Sequence, residues 1–68
     1  MNFIYVLLPE TNPGWDDMRI YLDEKKAIEA SILLPDYRVE IFEIDSVDGS
    51  YIPSLNYYKC GILITPYN

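Results

Sequence analysis

The sequence predicts a small α+β domain in which one α-helix packs on one face of a mostly antiparallel β-sheet of four or five strands. Three observations lead to this class. Apolar and polar side chains alternate over residues 17–22, as in a strand with one face on a core. Apolar residues at helical spacing follow over 24–33, and a run rich in β-formers occupies 38–45. The predicted order along the single domain, residues 1–68, is β-β-α-β-β-β.

The first strand is predicted over residues 3–8, a continuous apolar run bounded by Pro9. Such a run is typical of a central strand that is covered on both faces. Residues 9–16 have the composition of a loop. Trp15, the only tryptophan, is expected either to fold over an end of the core or to anchor a binding partner, since tryptophan is enriched at binding hot spots.

The second strand, over 17–22, is expected to direct one set of side chains to the core and the other set away from it. The core set is Met18, Ile20 and Leu22, and the other set is Arg19 and Tyr21.

The helix is predicted over 24–33. Asp23 can cap it by accepting a hydrogen bond from the free amides of the first turn. The helix should end near Leu33, because Leu34 precedes Pro35 and a residue before proline is disfavoured in the helical conformation. Leu33 falls on the polar side of the helix and is expected to be covered by a loop or by a second molecule. The predicted apolar side consists of Ala27, Ile28, Ser31 and Leu34.

The third strand, over 38–45, has large apolar residues on both faces. Val39 and Ile41 share one face, whereas Phe42 and Ile44 share the other. Either a bulge redirects the strand or both faces are covered. We interpret Phe42 and Ile44 as candidates for an interface.

Two short strands are predicted at the end of the chain, over 55–59 and 62–65, after a turn marked by Asp48 and Gly49. Pro53 indicates a sheet edge or a strand start. The two strands are joined at residues 60–61. Cysteine is unfavourable at the positive φ that a two-residue turn requires, which leaves a longer or bulged turn open.

Length and composition favour an oligomer. A chain of 68 residues buries only ~60% of its unfolded surface, so its stability is marginal without additional support. One cysteine excludes an internal disulfide, and one cysteine without histidine argues against a structural zinc site. We therefore predict a homodimer or a complex with a bound partner.

The net charge and the N-terminal sequence limit the kinds of partner and the cellular location that we expect. A net charge of −6 opposes contact with phosphate backbones and with anionic membranes. The apolar run at the N-terminus lacks a basic segment and is too short for a signal peptide, and no stretch is long enough to span a membrane. We expect a protein that is neither secreted nor transmembrane.

No catalytic site is predicted, and neither a cofactor nor a metal. General acid–base catalysis most often uses histidine, which is absent. Cys60 lacks a histidine that could activate it. The acidic turn at 45–50 lacks the alternating ligands and the closing glutamate of a calcium loop. A hydrolase that uses paired carboxylates is retained as the third hypothesis.

One helix can cover only one face of the predicted sheet. The other face would hold Tyr21, Phe42 and Ile44, with some of Tyr51, Tyr57 and Tyr58. An apolar patch of this kind usually marks an interaction site. The predicted interface residues are Phe42, Ile44, Tyr57, Tyr58, Trp15 and Leu33. The alternative is a small nucleic-acid or nucleotide binder that stacks bases on the aromatic face.

Several runs of residues resemble small uncharacterised proteins of giant DNA viruses of amoebae. They are residues 15–22 (WDDMRIYL), 27–31 (AIEAS), 39–43 (VEIFE) and 51–59 (YIPSLNYYK). The resemblance implies a viral protein that is carried in the virion or expressed inside the infected host cell, and whose partner, if not a second copy, is another viral or host protein. It supplies no functional residues. The leading hypothesis is therefore a non-enzymatic interaction or virion-associated protein that acts as a homodimer.

Overall fold

The structure, a computed structural model, describes residues 2–67. Its regular elements in chain order are β1 Phe3–Pro9, a 3-10 helix Trp15–Asp17, β2 Arg19–Tyr21, α1 Glu24–Leu33, β3 Tyr37–Ile44, β4 Tyr51–Lys59 and β5 Ile62–Ile64. The strands form one five-stranded antiparallel sheet in the order β2-β1-β3-β4-β5. The predicted α+β class is confirmed, with α1 connecting β2 to β3.

The central position of β1 is also confirmed. This strand pairs with β2 on one side and with β3 on the other. Its consecutive residues Val6 and Leu7, which point to opposite faces of the sheet, are 6% and 1% exposed. A strand that is covered on both faces has a continuous apolar sequence instead of alternating apolar and polar residues. The sequence of β1 has this pattern.

The core lies between α1 and the sheet. Leu7 and Val39 are paired across β1 and β3, and both are almost completely buried. Small residues on the inner side of α1, Ala27 and Ala30, contact this layer. The complete core cluster is Tyr5, Leu7, Ala27, Ala30, Val39, Ile41 and Tyr58.

Both ends of α1 lie where local signals predicted them. The Asp23 carboxylate accepts a hydrogen bond from the Lys25 amide at 2.9 Å, which satisfies one free donor of the first turn. The last helical hydrogen bond runs from the Leu34 amide to the Ala30 carbonyl. Leu34 was expected on the buried side but is 40% exposed. Its φ of −123° and ψ of 78° take it out of the helix, so helical spacing no longer decides where its side chain lies.

The second strand is shorter than predicted. Asp17 belongs to the 3-10 helix Trp15–Asp17, and Met18 closes that turn with an amide donated to the Trp15 carbonyl. A hydrogen bond from the Gly14 amide to the Asp17 carboxylate holds the turn at its start. Local side-chain hydrogen bonds of this kind compete with strand pairing, so β2 begins only at Arg19.

The expected orientation of β2 is wrong. Tyr21 pairs with Tyr5 and packs against the core on the helix side. Ile20 pairs with Val6 on the opposite face and is 57% exposed, and Leu22 is 59% exposed. Pairing with β1 fixes the register of β2, and a given register sends every second side chain to one face.

The fourth strand begins at Tyr51, not at residue 55, and it contains an irregularity. Between the pairs Glu40–Tyr57 and Phe42–Pro53, β3 contributes one residue and β4 contributes three. The extra residues include Leu55, which has a φ of 72°. The bulge therefore lies in β4. The bulge adds two residues, an even number. Side chains of β4 before and after the bulge therefore keep the same alternation between the two faces of the sheet.

The connection between β4 and β5 is a two-residue turn, and the longer turn that the sequence left open is not formed. Lys59 pairs directly with Ile62. Cys60 and Gly61 have φ values of 51° and 80°, so both central residues adopt the positive φ of a tight hairpin. Cys60 is exposed.

Candidate interaction surface

The sheet face opposite α1 carries no helix within residues 2–67, and we call it the open face. Strand alternation and register assign its members, because the core residues of each strand point to the other side. They are Ile4, Val6, Leu8, Ile20, Arg38, Glu40, Phe42, Ile44, Tyr51, Pro53, Tyr57, Lys59, Ile62 and Ile64.

The centre of the open face is packed and its margins are exposed. Val6 is only 6% exposed although it faces away from α1. Its partners across the sheet are Ile20 and Glu40, so neighbouring side chains cover it. At the margins, Ile20 is 57% exposed and Ile44 is 41% exposed. The open face is thus an apolar surface with a dense centre.

One ion pair lies within this apolar surface. The Arg38 Nε atom is 3.2 Å from the Glu40 carboxylate. The Arg38 guanidinium also lies 4.3 Å from the centre of the Tyr57 ring, a cation–π distance. Burial raises the pKa of the Glu40 carboxyl, and the positive charge of Arg38 opposes that shift. The pair is therefore partly removed from water before any partner binds.

A shallow pocket of about 290 Å³ adjoins one corner of the open face. It is lined by Leu8, Pro13, Gly14, Trp15 and Met18. Trp15 is 88% exposed, so the expectation that it folds over the core is wrong. Its indole stands on the 3-10 helix beside an apolar depression, the usual setting of an aromatic anchor at an interface.

The structure brings four of the six predicted interface residues to this side of the molecule. Phe42, Ile44 and Tyr57 lie on the open face, with Trp15 at its corner. The prediction of Tyr58 as an interface residue is wrong. Tyr58 pairs with Val39 in the core on the helix side and is 8% exposed.

Leu33 and Tyr21 also lie away from the open face. Leu33 is 78% exposed on α1, on the other side of the sheet, and no loop covers it within the described chain. Tyr21, which was expected on the uncovered face, packs against the core as described above. Neither residue can belong to an interface confined to the open face.

The acidic turn before β4 uses its carboxylates to hold its own backbone. The Asp45 carboxylate accepts from the Val47 amide at 2.8 Å, and the Asp48 carboxylate accepts from the amide and hydroxyl of Ser50. The two hydrogen bonds from Ser50 lower the pKa of Asp48, and the bond from the Ser50 hydroxyl contributes most. Within residues 2–67, no three histidine, cysteine or acidic side chains are grouped as a metal would need.

Comparison of the chain with protein-family models, with curated proteins and with solved structures gave no match. Among residues 2–67, no helix has the length and apolar character required to cross a membrane.

Sequence reasoning missed the ion pair at the centre of the open face. The signal for it was present, because Arg38, Glu40 and Phe42 are spaced two residues apart on one strand and therefore share a face. The stacking of Arg38 on Tyr57 depends on the register between β3 and β4, for which the sequence carries no local signal.

Proposed function

We propose that this chain is a non-enzymatic interaction protein whose open face binds the open face of a second copy to form a homodimer. The observation that carries the proposal is an uncovered apolar and aromatic sheet face with a partly desolvated ion pair at its centre. Large exposed apolar patches on small proteins generally mark interaction sites.

The open face is large enough for a small interface. Three strands of seven to nine residues and two edge strands of three residues form the sheet. At strand spacings of about 4.8 Å and about 3.3 Å per residue, the projected area is roughly 480 Å², and the accessible area of the side chains on it is larger. A standard interface buries about 800 Å² on each partner, and weak complexes bury less than about 600 Å². Face-to-face packing of two copies therefore fits a dimer whose mass depends on protein concentration.

The charges on the open face favour a second copy over an unrelated partner. A two-fold axis places the same patch on both subunits. The open-face strand positions carry two positive side chains, Arg38 and Lys59, and one negative side chain, Glu40. Lys59 is paired with Glu10, and Arg38 of one copy can face Glu40 of the other. Glu40 is the one acidic residue among the defined members of this face, although the chain has 11 in total. Most of the repulsion from a net charge of −6 is thus kept away from the contact.

The stability of a short chain supports the same conclusion. One helix covers one face of the sheet, and a domain of this size buries too little surface to be strongly stable alone. Association of two open faces would remove further apolar side chains from water at about 25 cal/mol per Å². Dimerisation would then stabilise the fold itself.

The alternative, a small nucleic-acid or nucleotide binder, requires cations beside the aromatic rings to contact phosphates. Both cations on the open face are already paired, Arg38 with Glu40 and Lys59 with Glu10. We therefore place this alternative second. From the resemblance described above, we propose that the dimer acts in a virion or within an infected host cell.

Light scattering after size-exclusion chromatography tests the dimer over a series of protein concentrations. We expect a mass of twice 8.0 kDa for the wild type and of one chain for Phe42→Glu. A charge at Phe42 would be buried in the interface without a partner, at a cost of several kcal/mol. Leu33→Glu is the matched control, because Leu33 is exposed on the opposite side of the sheet; it should remain dimeric.

Ile44→Glu provides a second test, since Ile44 is 41% exposed and its replacement does not disturb the core. Circular dichroism would establish that each variant is folded. A wild type that remains monomeric at every concentration contradicts the proposal. It is equally contradicted if folded Phe42→Glu and Ile44→Glu both dimerise like the wild type.

A further inference from the structure

A second concave site lies on the helix side of the sheet, beside the first residue of α1. This groove has a volume of about 300 Å³ and combines aromatic, acidic and amide side chains, at the small end of the range for ligand pockets. The lining residues used below are Phe3, Tyr5, Glu24, Glu43, Asn56 and Tyr58. The groove and the open face are on opposite sides of the sheet, so the two sites are separate.

Tyr58 fixes the position of one carboxylate in the groove. Its hydroxyl donates a hydrogen bond of 2.7 Å to Oε2 of Glu24. Burial raises the pKa of Tyr58 to about 12, with further contributions from the hydrogen bond and the negative charge of Glu24. The phenol therefore remains a donor at neutral pH, and one oxygen of Glu24 is held by a buried group.

Tyr5 presents an unsatisfied hydroxyl to the same groove. The residue is 8% exposed, and within residues 2–67 its hydroxyl has no hydrogen-bond partner. Fully buried side-chain polar atoms in this part of the chain all have partners, so the Tyr5 hydroxyl must still be reachable from the groove that it lines. Burial and the charge of Glu24 raise the pKa of Tyr5. A hydroxyl that the chain leaves unbonded and reachable can donate to or accept from a ligand in the groove.

The groove also carries uncompensated negative charge. The ion pairs found within residues 2–67 are Arg38–Glu40 and Lys59–Glu10. Neither pair includes Glu24 or Glu43, the two carboxylates of the groove. Their charges lie beside the aromatic rings of Phe3 and Tyr5. Carboxylates next to aromatic faces attract organic cations through charge and cation–π interactions.

We propose that this groove binds a small organic amine as its protonated primary ammonium. The ammonium group donates hydrogen bonds to Glu24 and to the Tyr5 hydroxyl, and the amide oxygen of Asn56 can accept the third. The apolar body of the ligand packs against Phe3. A primary ammonium suits this site because it supplies three donors, and none of the ion pairs within residues 2–67 uses the carboxylates of the site.

Titration of the isotope-labelled protein with 2-phenylethylammonium, followed by NMR, tests the proposal. We expect saturable shifts confined to residues that line the groove. The neutral analogue 2-phenylethanol has nearly the same shape but lacks the charge, and should bind at least about tenfold more weakly, since hydrogen bonds to charged groups contribute about 1.5–3 kcal/mol. Equal binding of the two compounds, or shifts centred on the open face, would overturn the proposal.

Matched variants locate the site. Glu24→Gln keeps an acceptor for Tyr58 but removes the charge, and it should weaken binding of 2-phenylethylammonium at least about tenfold. Tyr5→Phe should weaken binding about tenfold, because it removes an acceptor for the charged ammonium group. Glu29→Gln makes the same charge change at an exposed position of the same helix, outside the groove, and should leave the affinity within about twofold, as a screened charge contributes little. If Glu24→Gln and Glu29→Gln have the same effect, the groove is not the site.

Discussion

Ser31 connects α1 to the turn between β4 and β5, and its removal should destabilise the protein more than a typical serine substitution. The side chain is fully buried. Its hydroxyl donates to the Ile28 carbonyl at 2.7 Å and accepts a hydrogen bond from the Gly61 amide at 2.9 Å. Ser31→Ala would leave the Gly61 amide without this acceptor in a partly buried position.

The expected cost of Ser31→Ala is about 1–3 kcal/mol, the penalty for leaving a buried donor unsatisfied. The Ile28 carbonyl adds little to this cost, because it lies within the helix and retains its backbone environment. A domain of this length has a total stability of only about 3–10 kcal/mol. The substitution should therefore lower the urea midpoint by about 1 M or more, given a slope near 1 kcal/mol per M for a small protein.

Urea denaturation at a fixed protein concentration measures this effect, and hydrogen exchange of the Gly61 amide tests its cause. Ser46→Ala is the control, because Ser46 is exposed in the turn after β3; its effect should stay within about 0.5 kcal/mol. The reasoning would be refuted if Ser31→Ala were as stable as the control, or if the Gly61 amide kept its protection from exchange in that variant.

Two further predictions concern the same side of the molecule. The pKa of Tyr58 is raised from its ordinary value of 10.0 to about 12. The protonated phenol therefore contributes stability below pH 10, and this contribution is lost as the pH rises towards 12. The stability advantage of the wild type over Tyr58→Phe should fall by about 1 kcal/mol between about pH 9 and pH 11 in urea titrations, and a constant difference would contradict the assignment. Gly61→Ala should destabilise the protein by about 1 kcal/mol more than Gly49→Ala in thermal unfolding. Both glycines have a φ near +80°, but a Cβ at Gly61 would meet Ile32 at 2.8 Å, whereas at Gly49 it would meet nothing within 4 Å. Equal losses would show that Ile32 moves aside freely.

Helix ends and strand alternation were predicted because their causes are local. Asp23 caps α1 within two residues of its own position, and Leu34 leaves the helix immediately before Pro35. Alternation within β3 was enough to separate Phe42 and Ile44 from the core. Each of these features depends on neighbours in sequence, so a single chain carries the whole signal.

The incorrect or missing predictions concern features that depend on pairing between residues far apart in the sequence. The face of β2 depends on its register with β1, and the sequence offered apolar candidates on both faces: Tyr21 packs inward and Ile20 outward. The bulge in β4 requires Leu55 at a φ of 72°, which an ordinary side chain rarely adopts. The groove depends on Tyr58 reaching Glu24 across 34 positions. No local pattern specifies a contact of that separation.

Both proposed sites have one structural origin: a single short helix, α1, covers the sheet. The helix has ten residues and is about 15 Å long. The strands β3 and β4, with eight and nine residues, extend about 26–30 Å. A single helix therefore leaves part of its own side of the sheet uncovered, where the groove lies, and leaves the open face to be covered by something else. A second copy on the open face would not close the groove. The Phe42→Glu variant, which we expect to be monomeric, should consequently bind 2-phenylethylammonium as well as the wild type, whereas a large loss of affinity would mean that the two faces are coupled through the sheet.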